Sequence, residues 1–204
     1  MQNTTFLETP RLILRFFNKN DDLNLYELDS DVEVIRFTNL GLIKGGSPLN
    51  TDYENIKNVT LPKFIESYGN HQYGYWAVIE KASDEFIGWF HLRPATENQF
   101  YFKLGFYDSS EIELGYRLKK TAWNKGYATE GSQALIKKSF VDGTQQIVSM
   151  ALATNLASIR VMEKAGLKFV GKYFHPEIDQ DVVKYALNNE DFITEMVNTN
   201  LQKK

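Results

Sequence analysis

The stretch from Glu113 to Glu130 joins an apolar run, a glycine-containing loop and the start of a helical pattern. Gly126 and the small Ala128 lie at the turn, where backbone N–H groups can converge on an anion that the helix N-terminus also attracts. This arrangement is typical of a phosphate cradle. Taken alone, it is more typical of a glycine that only starts a helix.

The charges around this turn favour phosphate. Five lysines lie between Lys119 and Lys138 against one acid, Glu130, in a chain whose formal net charge is −3. The spacing differs from that of a P-loop, and no Gly-x-Gly-x-x-Gly follows, so neither a nucleoside triphosphatase nor a dinucleotide-binding protein is indicated. The local field suits a pyrophosphate.

A second polar cluster, from Asn155 to Leu167, follows the next apolar run. Asn155 is placed to cap a helix, Ser158 falls in its first turn and Gly166 ends it. The cluster by itself indicates no more than a well-capped helix.

Together, in this order and at this separation, the two clusters resemble the GNAT superfamily of N-acetyltransferases, in particular its ribosomal-protein-alanine N-acetyltransferase branch. The likeness covers most of the chain. The segments that carry it are Thr9–Arg15, Trp76–Ile79, Phe86–Trp89, Glu113–Tyr116, Trp123–Glu130, Asn155–Ser158, Val161–Gly166, His175–Ile178 and Tyr185–Leu187. The resemblance implies an α/β (α+β) fold with a twisted mixed sheet, splayed in the middle and flanked by helices, that holds acetyl-coenzyme A in the gap.

The resemblance also implies which residues contact acetyl-coenzyme A. The backbone around Leu118 would pair with the pantetheine arm. Asn155 would hydrogen-bond that arm, and Ser158 would lie close to the sulfur. The pyrophosphate is expected at five residues of the loop and first helical turn, Lys125, Gly126, Tyr127, Ala128 and Thr129.

Two loop positions depart from the family pattern. The family usually has Arg or Gln where this chain has Trp123, and the branch often has glycine where this chain has Asn124. Because the cradle works through backbone donors, we expect binding to survive. Asn124 adds a side-chain donor but slightly restricts the loop.

Acetyl transfer requires an unprotonated amine. A lysine-like amine with a pKa of about 10.4 is almost fully protonated at neutral pH, so a base or a water relay is useful. The chain contains no cysteine, which excludes disulfides and an acetyl-cysteine intermediate. We therefore expect direct attack of the amine within a ternary complex.

The sequence indicates the residues that transfer protons less clearly than those that bind the cofactor. Where some superfamily members have a tyrosine acid and a glutamate base, this chain has Met162 and Met150, and neither side chain transfers a proton. The resemblance instead offers Ser158 as the proton donor to sulfur, and Glu113 is our candidate base, directly or through water. Glu113 could equally be a structural acid satisfied by the backbone or by Arg117.

The histidines at 71, 91 and 175 show no ligand spacing, so no metal site is expected. His175 either lines the acceptor pocket or is an ordinary turn residue. Glu177 and Asp181 are weaker candidates for the base near the acceptor.

Hydrophobic periodicity and turn residues predict the elements that position these groups. A first strand is expected at Arg11–Arg15, a helix from about Asn20, and interrupted helical structure up to 68. Further strands are expected at 73–79, 85–92, 111–118, 146–154, 168–174 and 182–187, and helices at 129–141, 156–165 and 189–204. Residues 95–110 stay unassigned, because Phe100–Phe102 could extend a strand or cover a pocket.

Length and composition bound the remaining possibilities. The 204 residues suit a single domain, 1–204, with an acetyl-coenzyme A-binding core at 111–166 and a lid over the acceptor site at 37–68. The chain shows no long apolar run and no leader pattern, so a cytoplasmic location without a membrane partner is expected. The slight acidic excess argues against a nucleic-acid partner.

Three functions stay open. We favour acetylation of a small amine, such as an amino acid, a polyamine or an aminoglycoside. N-terminal acetylation of a ribosomal or other protein is the alternative. A non-catalytic acetyl-coenzyme A sensor is the third, because Met150 and Met162 replace the usual proton-transfer residues. The family resemblance suggests a monomer or a homodimer.

Overall fold

The structure, a computed structural model, describes residues 5–67 and 72–201, without the side chains of 195, 196 and 198–201. Its strands are β1 (Thr5–Glu8), β2 (Leu12–Phe16), β3 (Gly74–Glu80), β4 (Glu85–Pro94), β5 (Ile112–Leu118), β6 (Gln146–Leu152), β7 (Lys168–His175) and β8 (Gln180–Asn188). They form one mixed sheet in the order β1-β2-β3-β4-β5-β6-β8-β7.

The helices cover both faces of this sheet. They are α1 (Asp22–Ser30), α2 (Val32–Ile35), α3 (Leu40–Ile43), α4 (Tyr53–Asn55), α5 (Leu61–Glu66), α6 (Gln99–Phe102), α7 (Tyr127–Val141), α8 (Leu156–Lys164) and α9 (Asn189–Leu201), and a π-helical turn, Ile56–Thr60, joins α4 to α5. Within 5–67 and 72–201, no helix combines the length and apolarity needed to cross a bilayer.

The sheet is split at its centre. β5 and β6 are parallel and pair through Ile112 with Ile147 and Glu113 with Val148 in the described structure. The neighbouring pairs, β4 with β5 and β6 with β8, are antiparallel and extend over the whole of β5 and the whole of β6. The strands therefore separate after Glu113 and leave a V-shaped gap, which confirms the predicted splayed sheet.

Strand alternation divides the residues of β3 to β5 between two layers. Trp76 and Phe90 face a core that includes Leu135 of α7. Trp89 faces the opposite layer, where it packs with Phe64 of α5 in a second core. The gap is thus bordered by α7 and α8 on one face and by α1 and α5 on the other.

The predicted elements are present, with three differences. A four-residue edge strand, β1, precedes the predicted first strand and pairs with it. The unassigned segment contains a short helix, Gln99–Phe102, so the first of its two alternatives, an extended strand, is wrong. The C-terminal helix is described as far as Leu201, and residues 202–204 lie outside the described part.

Candidate active site

A cavity of about 520 Å³ lies where β5 and β6 separate. β3 to β6 and α8 form its walls. Six residues of the segment predicted as a lid also line the cavity. We call them the roof, and they are Phe37, Thr38, Leu40, Ile43, Thr60 and Phe64. Residue 68, the end of the predicted lid, lies outside the described residues.

The loop before α7 has the backbone shape of an anion cradle. Gly126 caps the helix with a φ of 82°, and Asn124 has a φ of 60°, so both are left-handed. Asparagine is among the few non-glycine residues that adopt this conformation routinely. This explains how Asn124 replaces the glycine expected there with little strain.

Two hydrogen bonds fix this loop to the sheet. The indole Nε1 of Trp123 donates to the carbonyl of Leu118 at 2.8 Å, and the Arg11 guanidinium donates to the carbonyl of Lys125 at 2.9 Å. Trp123 thus takes a structural role at the position where the family usually has Arg or Gln. The predicted pyrophosphate residues, 125–129, lie together at the N-terminus of α7, whose first amides have no intrahelical acceptor.

Asn155 and Ser158 lie in the cavity wall at the start of α8. The Oδ1 atom of Asn155 accepts a hydrogen bond from the backbone N–H of Ser158 at 3.3 Å and so caps the helix. The Ser158 hydroxyl accepts a bond from the Tyr116 hydroxyl at 3.4 Å. Burial raises the pKa of Tyr116, so its hydroxyl stays protonated at neutral pH.

Tyr116 was missed as a functional residue by sequence reasoning. It belongs to the Glu113–Tyr116 motif, but nothing in the sequence pairs it with a serine on a helix 42 residues later. The signal was the motif itself, of which only Glu113 was given a chemical role. Because β5 separates from β6 after Glu113, the Tyr116 side chain can reach Ser158 on α8.

Glu113 lies in the wall with its carboxylate surrounded by donors. It accepts hydrogen bonds from Arg93 Nε at 2.6 Å, Asn98 Nδ2 at 2.7 Å and the Tyr107 hydroxyl at 2.9 Å. Burial alone would raise its pKa, but neighbouring His91 and the Arg93 guanidinium outweigh burial and lower the pKa to about 2. Glu113 is therefore ionised and weakly basic. Its role as the base stays a prediction.

The prediction that the backbone or Arg117 would satisfy a structural Glu113 is wrong, because side chains surround the carboxylate and Arg117 forms its ion pair with another residue. Arg117 forms an ion pair with Asp29 of α1 at 2.7 Å and donates to the Thr38 hydroxyl at 2.8 Å. Its guanidinium also lies 5.1 Å from the centre of the Trp89 ring. Arg117 therefore ties β5 to α1 and the roof.

His91 lies between these two ion pairs. It is paired across the strands with Gly115, and a Cβ at Gly115 would come within 2.5 Å of the imidazole Cε1. The ring therefore occupies the space that any other residue at 115 would fill. Sequence reasoning tested His91 only as a metal ligand and missed it as a wall residue. The alternation of Trp89, His91 and Arg93 on one face of a strand was the available signal.

The other predicted candidates lie outside the cavity wall. His175 is buried at the end of β7 and bonds to the carbonyl of Phe100 at 3.0 Å, behind the Phe100 ring that lines the cavity. Asp181 pairs with Lys172 at 2.6 Å on the surface, and Glu177 is exposed. His71 is not among the described residues. In the described part of the chain, no group of three or more His, Asp or Glu side chains is suited to hold a metal ion.

Comparison with known proteins identifies the family. Residues 11–168 match the family profile described as Acetyltransferase (GNAT) domain, so the chain belongs to the GNAT acetyltransferases and is an acyltransferase. It is similar to FsC-acetyl coenzyme A-N(2)-transacetylase of Aspergillus fumigatus, with 26% identity over 176 residues, 82% of this chain and 69% of that protein.

Solved structures share the fold. A GNAT-family acetyltransferase from Bacillus anthracis superimposes with a TM-score of 0.70 at 23% identity, covering 93% of this chain and 99% of that one. Aminoglycoside acetyltransferase AAC(6')-Ib, solved with coenzyme A, gives a TM-score of 0.69 at 19% identity, covering 90% of this chain and 98% of that one. These likenesses concern the fold.

Proposed function

We propose that the protein transfers the acetyl group of acetyl-coenzyme A to the primary amine of a small molecule, by direct attack within a ternary complex. The observation that carries the proposal is the cavity at the split of the sheet. It has two proton-bearing hydroxyl groups, of Ser158 and Tyr116, in one wall and an aromatic chamber with His91 on the other face of β5. An acceptor and a thioester can meet there from opposite faces.

The cradle before α7 supports binding of the cofactor pyrophosphate, at Asn124 and the five residues from 125 to 129. The free edge of β5 up to Leu118 is the proposed partner of the pantetheine arm, although the Leu118 carbonyl is already bonded to Trp123. Asn155 and Ser158 are the proposed contacts near the thioester. Names of relatives agree with this cofactor, since one is an acetyl coenzyme A transacetylase and another was solved with coenzyme A.

The charges of the cavity favour an acceptor with one cationic group. Both carboxylates among the described lining residues are neutralised, Asp29 by Arg117 and Glu113 by Arg93. A polycation such as an aminoglycoside needs carboxylates in excess of bases. The remaining wall is largely aromatic, through Tyr75, Trp89, Phe100 and Tyr101. The cavity volume, about 520 Å³, is in the range of small-molecule sites.

Proton delivery to the leaving sulfur is proposed for Ser158, with Tyr116 behind it. As the C–S bond breaks, the Ser158 hydroxyl gives its proton to the thiolate and takes one from the Tyr116 hydroxyl 3.4 Å away, and Tyr116 regains a proton from solvent before the next turnover. Because burial raises the pKa of Tyr116, its hydroxyl carries a proton at neutral pH when the reaction begins. The relay thereby replaces the acid that Met162 cannot supply.

The test is the release of coenzyme A thiol from acetyl-coenzyme A in the presence of three sets of acceptors. These are monoamines with apolar or aromatic bodies, polycationic amines including aminoglycosides, and peptides with free N-termini. We expect the highest kcat/KM with the monoamines. Preference for the peptides would establish N-terminal acetylation instead, and tight cofactor binding without turnover on any acceptor would establish a sensor.

Variants then locate the proton donor. Ser158→Ala and Tyr116→Phe should each lower kcat by about tenfold or more, with less than additive loss in the double variant, because the two act in one relay. Tyr73→Phe is the matched control, since its hydroxyl contacts Thr144 outside the cavity. Equal rates in Tyr116→Phe and the control would remove Tyr116 from the relay.

A further inference from the structure

Three described residues of the cavity wall have a buried polar atom without a hydrogen bond: Asp29, which is ion-paired with Arg117, Trp89 at its indole Nε1, and His91. Both ring nitrogens of His91 are buried and lack a hydrogen bond to any described residue. Its Nε2 lies 3.6 Å from Glu113 Oε2, which is beyond hydrogen-bond distance. Buried polar groups are almost always bonded, and exceptions in native structures often have a catalytic role or bind water. The carboxylate beside His91 is already held by three other donors.

The surroundings of His91 set its protonation state. Arg93 lies two residues along its own strand, Glu113 and Arg117 lie on β5, and Tyr75 is opposite it on β3, with ring centres 5.0 Å apart. Arg117 is itself paired with Asp29 of α1. Burial, and after it the charge of Arg93, lower the pKa of His91 to about 4. The ring is therefore neutral at pH 7, with one of its two nitrogens unprotonated.

We infer that His91 is the group that accepts the proton of the attacking amine, and that Glu113 assists by facing the imidazolium that forms. This inference rests on the proposed acetyl transfer and adds a catalytic residue to it. Nε2 faces Glu113, which leaves Nδ1 to accept the proton directly or through one water molecule. Glu113 stabilises the imidazolium charge through its proximity, 3.6 Å from Nε2, and not through a hydrogen bond of the kind that the carboxylate of a hydrolytic triad makes.

The amine nitrogen attacks the thioester carbonyl carbon, a C–N bond forms, and the nitrogen becomes positively charged. His91 takes its proton, the C–S bond breaks, and the departing thiolate receives a proton from Ser158, which takes one from Tyr116. The imidazolium then gives its proton to solvent and Tyr116 takes one from solvent, which leaves the enzyme in its starting state with an N-acetyl amine and coenzyme A with a free thiol. His91 serves the acceptor face of β5, and Ser158 serves the cofactor face.

The position of His91 depends on Gly115. His91 of β4 pairs with Gly115 of β5, and a Cβ added at Gly115 would overlap the imidazole ring, at 2.5 Å from Cε1 and 2.7 Å from Nε2. A glycine at 115 is therefore required for the imidazole to occupy its place in the cavity wall. The glycine of the Glu113–Tyr116 motif is thus explained in this protein by the space that the His91 side chain occupies.

The experiment compares wild type, His91→Gln, Glu113→Gln and His175→Gln with the best amine found. We expect His91→Gln to lower kcat by about 10²- to 10⁴-fold while its affinity for coenzyme A, measured by calorimetry, stays within about twofold. His175→Gln is the matched control, because it also removes a buried imidazole but does not line the cavity. It should retain kcat within about threefold.

Chemical rescue separates a proton acceptor from a packing residue. In His91→Ala, added imidazole should restore turnover, and the rescue should follow the neutral form of imidazole as pH changes. Wild-type turnover together with an unchanged kcat in His91→Gln would overturn the inference and leave the proposed function standing. Loss of turnover in Glu113→Gln, without rescue of His91→Ala by imidazole, would return the base to Glu113.

A measurement that needs no acceptor completes the test. The chain has three histidines, so their titration can be assigned by nuclear magnetic resonance with the His91→Gln and His175→Gln spectra. We expect a neutral His91 ring at pH 7 with coenzyme A bound. A protonated ring would overturn the inference whatever the enzyme acetylates. Absence of turnover on every amine would instead overturn the proposed function, and the inference with it.

Discussion

The predicted cofactor-binding loop before α7 and the acceptor side of the cavity are built from different kinds of atoms. On the cofactor side, a short contiguous loop with Asn124 and Gly126 in left-handed conformation presents backbone amides at the start of α7. On the acceptor side, side chains from β4, β5 and α1 meet in two buried ion pairs, Arg93 with Glu113 and Arg117 with Asp29. Backbone donors tolerate changes of side chain, whereas buried ion pairs do not.

This difference explains how one framework serves a constant cofactor and a variable acceptor. The cradle depends on a few φ angles and a helix terminus, so we expect it to bind the pyrophosphate with Trp123 and Asn124 in place of the family residues. The acceptor wall depends on which side chains face each other across β4 and β5. Substitutions on the two sides should therefore have separable effects on acceptor chemistry, stability and cofactor affinity.

The largest effect is expected from Arg93→Met. This change leaves the Glu113 carboxylate, whose side chain is 8% exposed, buried without its cation. Removing one partner of a buried pair costs about 3–5 kcal/mol, and urea unfolding would measure the loss in free energy.

Lys172→Met provides the matched surface control. Lys172 also forms a 2.6 Å ion pair, with Asp181, but its side chain is 55% exposed. Breaking it should cost less than about 1 kcal/mol. Equal losses of unfolding free energy in the two variants would mean that the buried ion pair of the acceptor wall contributes no more to stability than a surface ion pair.

Gly115→Ala should come next. Its Cβ would push the His91 ring away from β5, since the nearest ring atom lies at 2.5 Å. A displacement of about 1 Å can cost about 10²-fold in rate, so kcat should fall by about that factor while coenzyme A still binds.

Gly46→Ala is the control for adding a methyl group, because the nearest atom to its Cβ lies at 3.4 Å and it does not line the cavity. Its kcat should match that of the wild type. A Gly115→Ala enzyme as fast as this control would show that the His91 position has no bearing on the chemistry.

The pH dependence of stability should report His91 as well. Its pKa is about 4 in the folded protein against 6.5 as the ordinary value, so the unfolded chain binds more protons between these values. Stability is therefore lost as pH falls through this window, by about 2 kcal/mol from pH 7 to pH 5. Glu113 contributes below this range, because its pKa is lowered from 4.5 to about 2.

His91→Gln should remove this part of the slope. Urea unfolding of wild type and variant at pH 7 and pH 5 would give the two differences in free energy. If the wild type and His91→Gln lose the same stability over this interval, His91 is not the buried neutral group described here.

The smallest effect is expected on the cofactor side. Asn124 has a φ of 60°, so Asn124→Ala should cost about 1 kcal/mol of stability, whereas Asn124→Gly should be nearly neutral. Calorimetric titration should give Asn124→Gly a coenzyme A affinity close to that of the wild type. A large loss of affinity would mean that the Asn124 side chain, and not the backbone, holds the pyrophosphate.

Much of the fold could be predicted from the sequence because its signals are local. The hairpin of β3 and β4, the glycine loop, α7 and α8 all have turn or capping residues at their ends. The strand β1 lacked such a signal, since four residues at a sheet edge carry little periodicity. The pairing of Glu113 could not be predicted, because 17 residues separate β4 from β5 and no short turn fixes their register.

The sequence by itself determined the family, the phosphate-cradle loop and the residues that cap and end the helix at Asn155 and Gly166. These depend on backbone conformation within a few residues, which residue type controls directly. Only the tertiary structure decided that Arg93 and not Arg117 pairs with Glu113, that Tyr116 meets Ser158, and that His91 lies over Gly115. Those contacts depend on strand register and on the split between β5 and β6, which the packing of the whole chain sets.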